Sequence, residues 1–210
     1  IVESGATKSD WRKIDGNGSL VSRSLHHGTN VSSMKMEKVK SVLAEGLEAI
    51  GATQEDRFYL YTAGVITEEI RKDLQEHILS LVKFDEIDIQ NDLVGAARGA
   101  LGHQSGVAAI MGTGSNTCFY DGKQVSQTVY SGGFILGDDG SASVLGKMFI
   151  NDYLKKLIPE DVARDFESKY DGSYMSIVEN VYRSSAPAAY LGGFAPFIMS
   201  HYDNPHIKRL

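Results

Sequence analysis

The sequence predicts an α/β protein, and three observations lead to this prediction. The 210 residues are 42% hydrophobic and 23% charged, so the chain carries enough apolar material for a buried core. Short runs rich in aromatic and β-branched residues alternate with segments whose apolar residues recur every three or four positions. Both halves of the chain open with strand-like runs joined by tight glycine turns. Strands that alternate with helices are typically parallel and joined by crossovers.

Three consecutive antiparallel strands are predicted at the start of the chain. Residues 1–2, 11–14 and 20–25 have strand-like composition. The turn Asp15-Gly16-Asn17-Gly18 joins the last two, and such Asp-Gly and Asn-Gly pairs are typical of hairpins.

A first helix is predicted over residues 34–50. Ser33 is its expected N-cap, and Gly51 suits the position just past its end. The residues that recur at helical spacing are Met36, Val39, Leu43, Leu47 and Ile50.

Strand, helix, strand and helix follow in turn. Residues 57–63 are short and aromatic, as in a strand, and Thr67 is predicted to cap a second amphipathic helix. A strand over 86–90 then runs directly into a small-residue helix over 93–101. This order indicates parallel strands connected by helices.

A second series of strands begins after the predicted helix. Residues 107–111, 117–120 and 125–130 read as strands, and a glycine-rich stretch runs from 132 to 146. The remainder, 147–200, is predicted to be mostly helical.

Composition and charge exclude several functional classes. A net charge of −6 argues against a dedicated binder of nucleic acid or of anionic membranes, and no apolar run approaches the roughly 18 residues of a membrane span. The single cysteine, Cys118, excludes an intrachain disulfide framework and a cysteine-based zinc site. It also fits a reducing compartment, so a cytoplasmic location is expected.

Three glycine-containing loops are candidates for phosphate binding. They are residues 3–8, 112–116 and 137–142, and the first two directly follow predicted strands. Small residues let backbone N–H groups approach a phosphate, and Ser or Thr adds a hydroxyl donor. None of the loops matches the P-loop or the dinucleotide-binding fingerprint. A single glycine turn is more often only a turn, but two from different domains would be able to clamp a polyphosphate.

Asp92 lies where a predicted strand ends and a predicted helix begins. Ligands of open α/β sheets gather at the carboxyl ends of strands, which makes Asp92 a candidate site residue. The local pattern by itself favours an N-cap carboxylate. Asn91 is able to serve as that cap instead, and the pattern leaves both interpretations open.

Three further polar residues have a functional and a plain structural interpretation. Asp138 and Asp139 lie within a glycine frame and would suit a metal ion or sugar hydroxyls, or simply form a polar turn. Asn30 follows the third strand, where asparagine is also a common turn residue.

Taken in order, four strings resemble motifs of the actin-like ATPase and sugar kinase superfamily. Within it they look like the BadF/BadG ATPase group that contains N-acetylglucosamine kinase. Residues 3–9 resemble the first phosphate motif, and 91–101 the connecting motif with its catalytic aspartate. Residues 112–116 resemble the second phosphate motif, and 132–142 the Gly-Asp-Glu-Gly-Ser-Ala string of the kinases.

The resemblance implies two ribonuclease H-like domains with mixed five-stranded sheets and an active site in the cleft between them. The N-terminal domain would cover 1–105, and the C-terminal domain 106–210, incomplete at its end. The implied reaction is ATP-dependent phosphoryl transfer, with Mg²⁺, to a hydroxyl of N-acetylglucosamine or a related amino sugar. The family also suggests a homodimer.

Roles carry over from the motifs residue by residue. Asp92 would accept the proton of the attacking hydroxyl, and Glu3 would hold Mg²⁺ through water. The phosphate-binding residues would be Gly5, Ala6, Thr7, Lys8, Gly112 and Thr113. The sugar-binding residues would be Asn30, Gly114, Ser115, Asn116 and Asp138.

The chain departs from the family pattern at several positions. Ser4 and Ala6 stand where glycines are common, and Asp139 replaces a usual glutamate. Because alanine does not easily adopt a positive φ, we expect a negative φ at Ala6. The family's adenosine-binding segment is expected after residue 210, so no residue is assigned to adenine.

The sequence leaves two other functions open. A non-catalytic sensor of sugar or nucleotide would keep the same binding loops. An iron–sulfur ATPase of the reductase-activator type needs cysteine ligands, and Cys118, inside a predicted strand, is the one candidate.

Overall fold

The computed structural model describes residues 1–32 and 34–210, and it consists of eight strands and nine α-helices within these ranges. The strands are β1 (Val2–Ser4), β2 (Lys8–Ile14), β3 (Leu20–His27), β4 (Phe58–Thr62), β5 (Ile87–Asn91), β6 (Gly106–Met111), β7 (Ser115–Tyr120) and β8 (Val125–Val129). The helices are α1 (Met36–Ala49), α2 (Glu68–Leu81), α3 (Asp92–Leu101), α4 (Gly133–Leu136), α5 (Ala142–Leu154), α6 (Glu160–Lys169), α7 (Tyr174–Tyr182), α8 (Pro187–Gly192) and α9 (Ala195–Ser200). A 3₁₀ turn, Ile207–Arg209, ends the chain.

The chain divides into two compact units, which are described separately. The first unit comprises residues 1–109 and 118–128, and the second comprises 110–117 and 129–210. The predicted domain bounds, 1–105 and 106–210, remain a prediction.

A mixed five-stranded sheet forms the frame of the first unit, and it confirms the α/β class. Its order is β3-β2-β1-β4-β5. The hairpin strands β1, β2 and β3 pair antiparallel, whereas β1, β4 and β5 are parallel. Because β1, β4 and β5 are parallel, the carboxyl end of β1 lies beside that of β4, which in turn lies beside that of β5.

Alternation along the strands places the core of the first unit on one face of the sheet. Val2 and Ser4 of β1 are fully buried, and Glu3 between them is exposed. Trp11 of β2 is also fully buried, and its indole lies against Gly46 of α1. A Cβ at position 46 would be 2.3 Å from the indole Cε2 atom, so only glycine allows α1 to approach this closely.

A second sheet has three strands in the order β6-β7-β8. Cys118 lies in β7, within the strand predicted over 117–120, and its side chain is buried. The turn after β7 contains Gly122 with φ +97°, and a Cβ there would be 2.5 Å from the carbonyl oxygen of His103. Glycine is therefore required at this turn on two grounds, the positive φ and the close approach.

The helical part of the second unit packs around aromatic side chains. Phe166 of α6 is fully buried, and its ring centroid lies 4.8–5.5 Å from those of five other aromatic rings. Several of these contacts are edge-to-face, which the ring quadrupoles favour. These rings belong to Phe149, Tyr153, Tyr170, Phe194 and Phe197.

Some helices and strands begin at other residues than the sequence predicts, because strand pairing or a capping side chain sets where they start. β2 begins at Lys8, not at residue 11, because β3 supplies pairing partners for residues 8–10 and β1 supplies partners for Ser9 and Asp10. α5 begins at Ala142, inside the glycine-rich stretch, because the Ser141 side chain caps it by accepting from the Val144 amide. The predicted cap Ser33 lies outside the described residues, and Lys35 is the N-cap residue of α1. No described helix is both long and apolar enough to cross a membrane.

We expect Gly46→Ala to lower the free energy of unfolding by about 1–3 kcal/mol, because the new methyl group overlaps the Trp11 indole. Gly99→Ala in α3 is the matched control, since a Cβ there meets no atom within 4 Å. That variant should be neutral or stabilising by up to about 1 kcal/mol, owing to helix propensity. Thermal unfolding of both variants measures the difference, and equal melting temperatures would contradict the close packing.

Candidate active site

Two carboxylates lie where the parallel strands of the first unit end. Ser4 of β1, Thr62 of β4 and Asn91 of β5 occupy one row of the sheet, because Ser4 pairs with Thr62 and Thr62 with Asn91. Glu3 directly precedes this row, and Asp92 directly follows it as the first residue of α3. The sheet thus brings to one edge two residues that are 89 positions apart in sequence.

The surroundings of both carboxylates disfavour their charged forms. Desolvation by the neighbouring residues, and then the negative charge of Asp92, raise the pKa of Glu3, and Lys8 opposes this rise. Burial raises the pKa of Asp92, and a hydrogen bond from the Leu93 amide opposes it. Within residues 1–32 and 34–210, neither carboxylate forms an ion pair with a cationic side chain. A cation or a proton would therefore be favourable beside them.

Capping of α3 is shared between two neighbouring residues. Asn91 is the N-cap residue, and its Oδ1 accepts a hydrogen bond from the Leu93 amide at 3.0 Å. The Asp92 Oδ1 accepts from the same amide, also at 3.0 Å. Since Asn91 already supplies a cap, capping alone does not account for a half-buried carboxylate at position 92.

The first glycine loop is the tip of the β1–β2 hairpin. The Gly5 amide donates to the Lys8 carbonyl at 3.0 Å, which leaves Ala6 and Thr7 exposed at the tip. Gly28 packs against the other side of the loop, and a Cβ at position 28 would be 2.2 Å from the Gly5 carbonyl oxygen. The expected negative φ at Ala6 is confirmed, since Asp138 and Lys156 are the non-glycine residues with positive φ in the described ranges.

The side chain of Ser4, at a position where the resembled motif commonly has glycine, forms hydrogen bonds in the protein interior. Its hydroxyl lies 2.7 Å from the Thr29 hydroxyl, and it accepts a hydrogen bond from the Thr29 amide at 2.9 Å. The Thr29 hydroxyl in turn lies 2.9 Å from that of Thr62. These three residues are each at most 1% exposed.

Asn30, the predicted sugar-binding residue of the first unit, has its carboxamide oxygen engaged within its own loop. This oxygen accepts from the Ser32 amide at 3.1 Å and from the Ser32 hydroxyl at 2.7 Å. Gly64, with φ +83°, lies against it, because a Cβ there would be 2.6 Å from the Asn30 Oδ1. The NH₂ group of Asn30 is thus the part suited to a ligand.

The second glycine loop is anchored to the N-terminus of α5 within the second unit. The Ala142 amide donates to the Gly112 carbonyl at 2.9 Å, and the Ser143 amide donates to the Thr113 carbonyl at 3.2 Å. The Gly112 amide is itself bonded to the Gly114 carbonyl at 2.9 Å. The first N–H groups of α5 therefore hold the loop in place through its carbonyls.

Asp138 is a buried carboxylate with a left-handed backbone, at φ +57° and 9% exposed. Its Oδ1 accepts one long hydrogen bond, 3.3 Å, from the Ser115 amide. A Cβ at Gly114 would be 2.9 Å from its Oδ2. The structure therefore brings together three of the predicted sugar-binding residues, Gly114, Ser115 and Asp138. The carboxylate of Asp138 is able to accept further hydrogen bonds from a ligand.

The remaining residues of the second loop are tied into the protein. The Asn116 Oδ1 accepts from the Thr117 amide at 2.9 Å. The Ser115 hydroxyl donates to the Asp139 carbonyl at 2.7 Å, and Asp139 itself is exposed. Cys118 is buried, and burial raises the pKa of its thiol, so it has the properties of a packed side chain.

Sequence reasoning missed Asp10 and the buried hydroxyls of Thr29 and Thr62. Asp10 pairs with Glu3 across β1 and β2, and its negative charge contributes to the raised pKa of Glu3. Hydrogen bonds from Arg12 and Arg23 hold the pKa of Asp10 well below its usual range. The cross-strand register between β1 and β2 was the signal that would have placed Asp10 beside Glu3.

No family model matches the chain. The chain is 29% identical over 189 residues to an N-acetylmuramic acid/N-acetylglucosamine kinase of Clostridium acetobutylicum, and the match covers 83% of the chain and 60% of that protein. It is 37% identical, with a TM-score of 0.92, to a Porphyromonas gingivalis structure proposed to be an N-acetylglucosamine kinase, covering 100% of this chain and 75% of that one. A Chromobacterium violaceum structure with the same proposed identity shares the fold, at 19% identity and a TM-score of 0.76, covering 99% of this chain and 75% of that one. The chain thus spans about 60% of the length of the curated relative.

We expect Asp92→Asn to raise the melting temperature at neutral pH, because the native state no longer holds a half-buried, partly desolvated charge. The pKa of Asp92 is raised in the folded state, so the native protein takes up a proton first as the pH falls. The advantage of the variant should therefore shrink as the pH falls through this raised pKa. Thermal unfolding of the variant and the wild type at several pH values measures this difference in melting temperature.

Asp121→Ala is the control, and it should change stability at neutral pH in the opposite direction. Hydrogen bonds from the Gln124 and Lys123 amides lower the pKa of Asp121, so its carboxylate stabilises the fold at neutral pH. The deficit of this variant should diminish as the pH falls toward the Asp121 pKa. A loss of stability in Asp92→Asn at neutral pH would contradict the inference that the desolvated Asp92 charge destabilises the fold.

Proposed function

The chain belongs to the N-acetylglucosamine kinase-like family of the actin-like ATPase and sugar kinase superfamily, and we propose that the protein transfers the γ-phosphoryl group of ATP to an amino-sugar hydroxyl. The observation that carries the proposal is the Glu3–Asp92 pair. Two carboxylates with raised pKa and no ion-pair partner in the described ranges lie at the ends of β1 and β5, on either side of β4 in the sheet. This is the electrostatic setting that a proton acceptor and a metal-holding carboxylate require.

The proposal includes the two-domain architecture implied by the sequence motifs. One ribonuclease H-like domain would cover 1–105, and a second would begin at 106. The mixed five-stranded sheet of the first unit supports the first of these. Because the chain spans only part of its relatives, the activity is proposed for the whole protein.

Asp92 is the proposed general base. Phosphoryl transfer needs a group that orients the attacking hydroxyl and takes its proton, and the burial-raised pKa makes this carboxylate a stronger base than an exposed aspartate. The double cap of α3 keeps its Oδ1 directed at the Leu93 amide, which limits the rotation of the side chain.

Glu3 is the proposed holder of Mg²⁺, through a water molecule. In the described part of the chain, no three acidic, histidine or cysteine side chains form a set that would hold a metal alone. Mg²⁺ in kinases uses one or two carboxylates, with phosphate oxygens and waters completing its shell, and the donor set here fits that requirement. The bound metal would supply neutralisation of phosphate charge.

The two glycine loops are the proposed phosphate-binding elements. In the first, the exposed tip residues Ala6 and Thr7 and the cation of Lys8 would meet phosphate, and Gly5 would shape the turn. In the second, Gly112 and Thr113 would serve, held by the first amides of α5. Close approach of backbone amides to phosphate is what small residues permit.

The sugar-binding residues are proposed in each unit from their remaining hydrogen-bonding capacity. Asp138 would accept from sugar hydroxyls, with Gly114 leaving the necessary space and Ser115 positioning the carboxylate. Asn30 would donate from its NH₂ group, and Asn116 would complete the set. Buried acceptors of this kind discriminate against sugars that lack the matching hydroxyl. A cytoplasmic location, where ATP is available, and a homodimer also belong to the proposal.

The reaction is tested by incubating the full-length protein with ATP, Mg²⁺ and a panel of sugars, with phosphorylated product identified by mass spectrometry. The panel contains N-acetylglucosamine, glucosamine, N-acetylmuramic acid and glucose. We expect Asp92→Asn to lower kcat by about 10²–10⁴-fold, as for loss of a general base, with sugar binding retained. Asp121→Ala is the matched control and should keep its activity, because Asp121 belongs to a surface turn.

Two outcomes would contradict this proposal. Full activity of Asp92→Asn would remove Asp92 as the base. Sugar binding by calorimetry without turnover under any nucleotide would instead favour a non-catalytic sensor.

We expect Gly114→Ala to weaken sugar binding by about tenfold or more, because the added methyl lies 2.9 Å from the Asp138 Oδ2 and displaces that carboxylate. Binding of ATP should change little, which calorimetry with each ligand separately will measure. Gly99→Ala, whose added Cβ meets no atom within 4 Å, is the control. Unchanged sugar affinity in Gly114→Ala would remove Asp138 from the sugar site.

A further inference from the structure

Three buried hydroxyl groups from separate segments form one cluster in the first unit. Ser4 ends β1, Thr29 lies in the loop after β3, and Thr62 ends β4. Each is at most 1% exposed, so no hydroxyl of this cluster can rely on bulk water for a hydrogen bond. The cluster lies among the elements that carry Glu3, Asn30 and Asp92, but none of its members has a role in the proposed reaction.

The donor and acceptor inventory determines the direction of every hydrogen bond in this cluster. The Thr62 hydroxyl donates to the Thr29 carbonyl at 2.7 Å, so its single proton is used there. The Thr29 hydroxyl, 2.9 Å away, must therefore donate to Thr62. The Ser4 hydroxyl, 2.7 Å from Thr29, must then donate to the Thr29 oxygen. The Thr29 amide completes the chain by donating to Ser4 at 2.9 Å.

This chain of hydrogen bonds leaves each of the three hydroxyls with both a donor and an acceptor role. Its centre is Thr29, which takes part through its hydroxyl, its amide and its carbonyl. Backbone bonds extend the same connection, since the Ala63 amide donates to the Ser4 carbonyl at 2.9 Å and the Val31 amide donates to the Ala63 carbonyl at 3.1 Å. The loop around Thr29 is thereby attached to two strand ends at once.

We propose that Ser4, Thr29 and Thr62 are positioning residues that hold Asn30 in a fixed place relative to Glu3. Ser4 directly follows Glu3, and Thr29 directly precedes Asn30, so the hydroxyl chain joins the two candidate binding residues through their neighbours. Thr62 attaches Thr29 to the row of strand ends that Asn91 shares. The functional part of this inference rests on the proposed roles of Glu3 and Asn30.

Loss of one hydroxyl leaves a buried donor or acceptor without a partner, which is more costly than loss of an exposed hydrogen bond. Thr62→Val nearly preserves side-chain shape while it removes the hydroxyl. The loop around Thr29 should respond by moving more freely, and Asn30 should move with it.

The first experiment does not depend on catalysis. Hydrogen–deuterium exchange in the full-length protein should show faster exchange at the Thr29 and Val31 amides in Thr62→Val, by about tenfold or more. Thr62→Ser, which keeps the hydroxyl, should retain most of the protection. Val39→Ala, a change in the buried face of α1, serves as a control matched for loss of stability. Equal exchange at these amides in Thr62→Val and wild type would overturn the proposal.

The second experiment measures ligand affinities by calorimetry. Thr62→Val and Ser4→Ala should weaken N-acetylglucosamine binding by about tenfold, Thr62→Ser should restore it, and Val39→Ala should leave it within about twofold of wild type. Equal weakening in Val39→Ala would mean that the hydroxyls contribute only stability, which overturns the positioning role. If exchange responds as expected but the wild-type protein binds none of the panel sugars, the proposed function fails while the hydroxyl chain stands.

Discussion

The register in which β1, β4 and β5 end is the constraint on which the candidate site depends. Ser4, Thr62 and Asn91 are consecutive partners across these three parallel strands. Since neighbouring strands lie about 4.7–4.9 Å apart, the residues before and after this row are brought close together. A shift of one residue in β1 would move Glu3 onto the core face, beside Trp11, and place Ser4 toward solvent.

The same edge of the sheet combines groups with opposite energetic effects. Glu3 and Asp92 have raised pKa values, so at neutral pH their charges oppose folding. The hydroxyls of Ser4, Thr29 and Thr62, in contrast, are fully paired in a buried cluster. Unfavourable charges thus lie beside a network whose hydrogen bonds are satisfied, and a satisfied network is what supports reactive groups in a functional site.

In the second unit, backbone hydrogen bonds from a helix end support the candidate loop. The first amides of α5 bond to carbonyls of the loop at Gly112 and Thr113, so the helix end anchors the backbone. The left-handed conformation of Asp138 then directs its carboxylate at Gly114 and the Ser115 amide. A non-glycine residue with positive φ is strained, and such strain persists only where surrounding contacts maintain it.

Sequence by itself determined the α/β class, most elements and the loops that carry the candidate residues. Periodicity and turn residues are local properties, so the helix over Met36–Ala49 and the turn at 15–18 were readable directly. Asn91 and Asp92 remained ambiguous, because both residue types cap helices equally well. Only the structure decided that Asn91 is the cap, that Asp92 shares its bond, and that burial raises the Asp92 pKa. The connection of Ser4 to Thr29 and Thr62 likewise required the tertiary structure, because it depends on strand register and on contacts 25 and 33 residues apart in the chain.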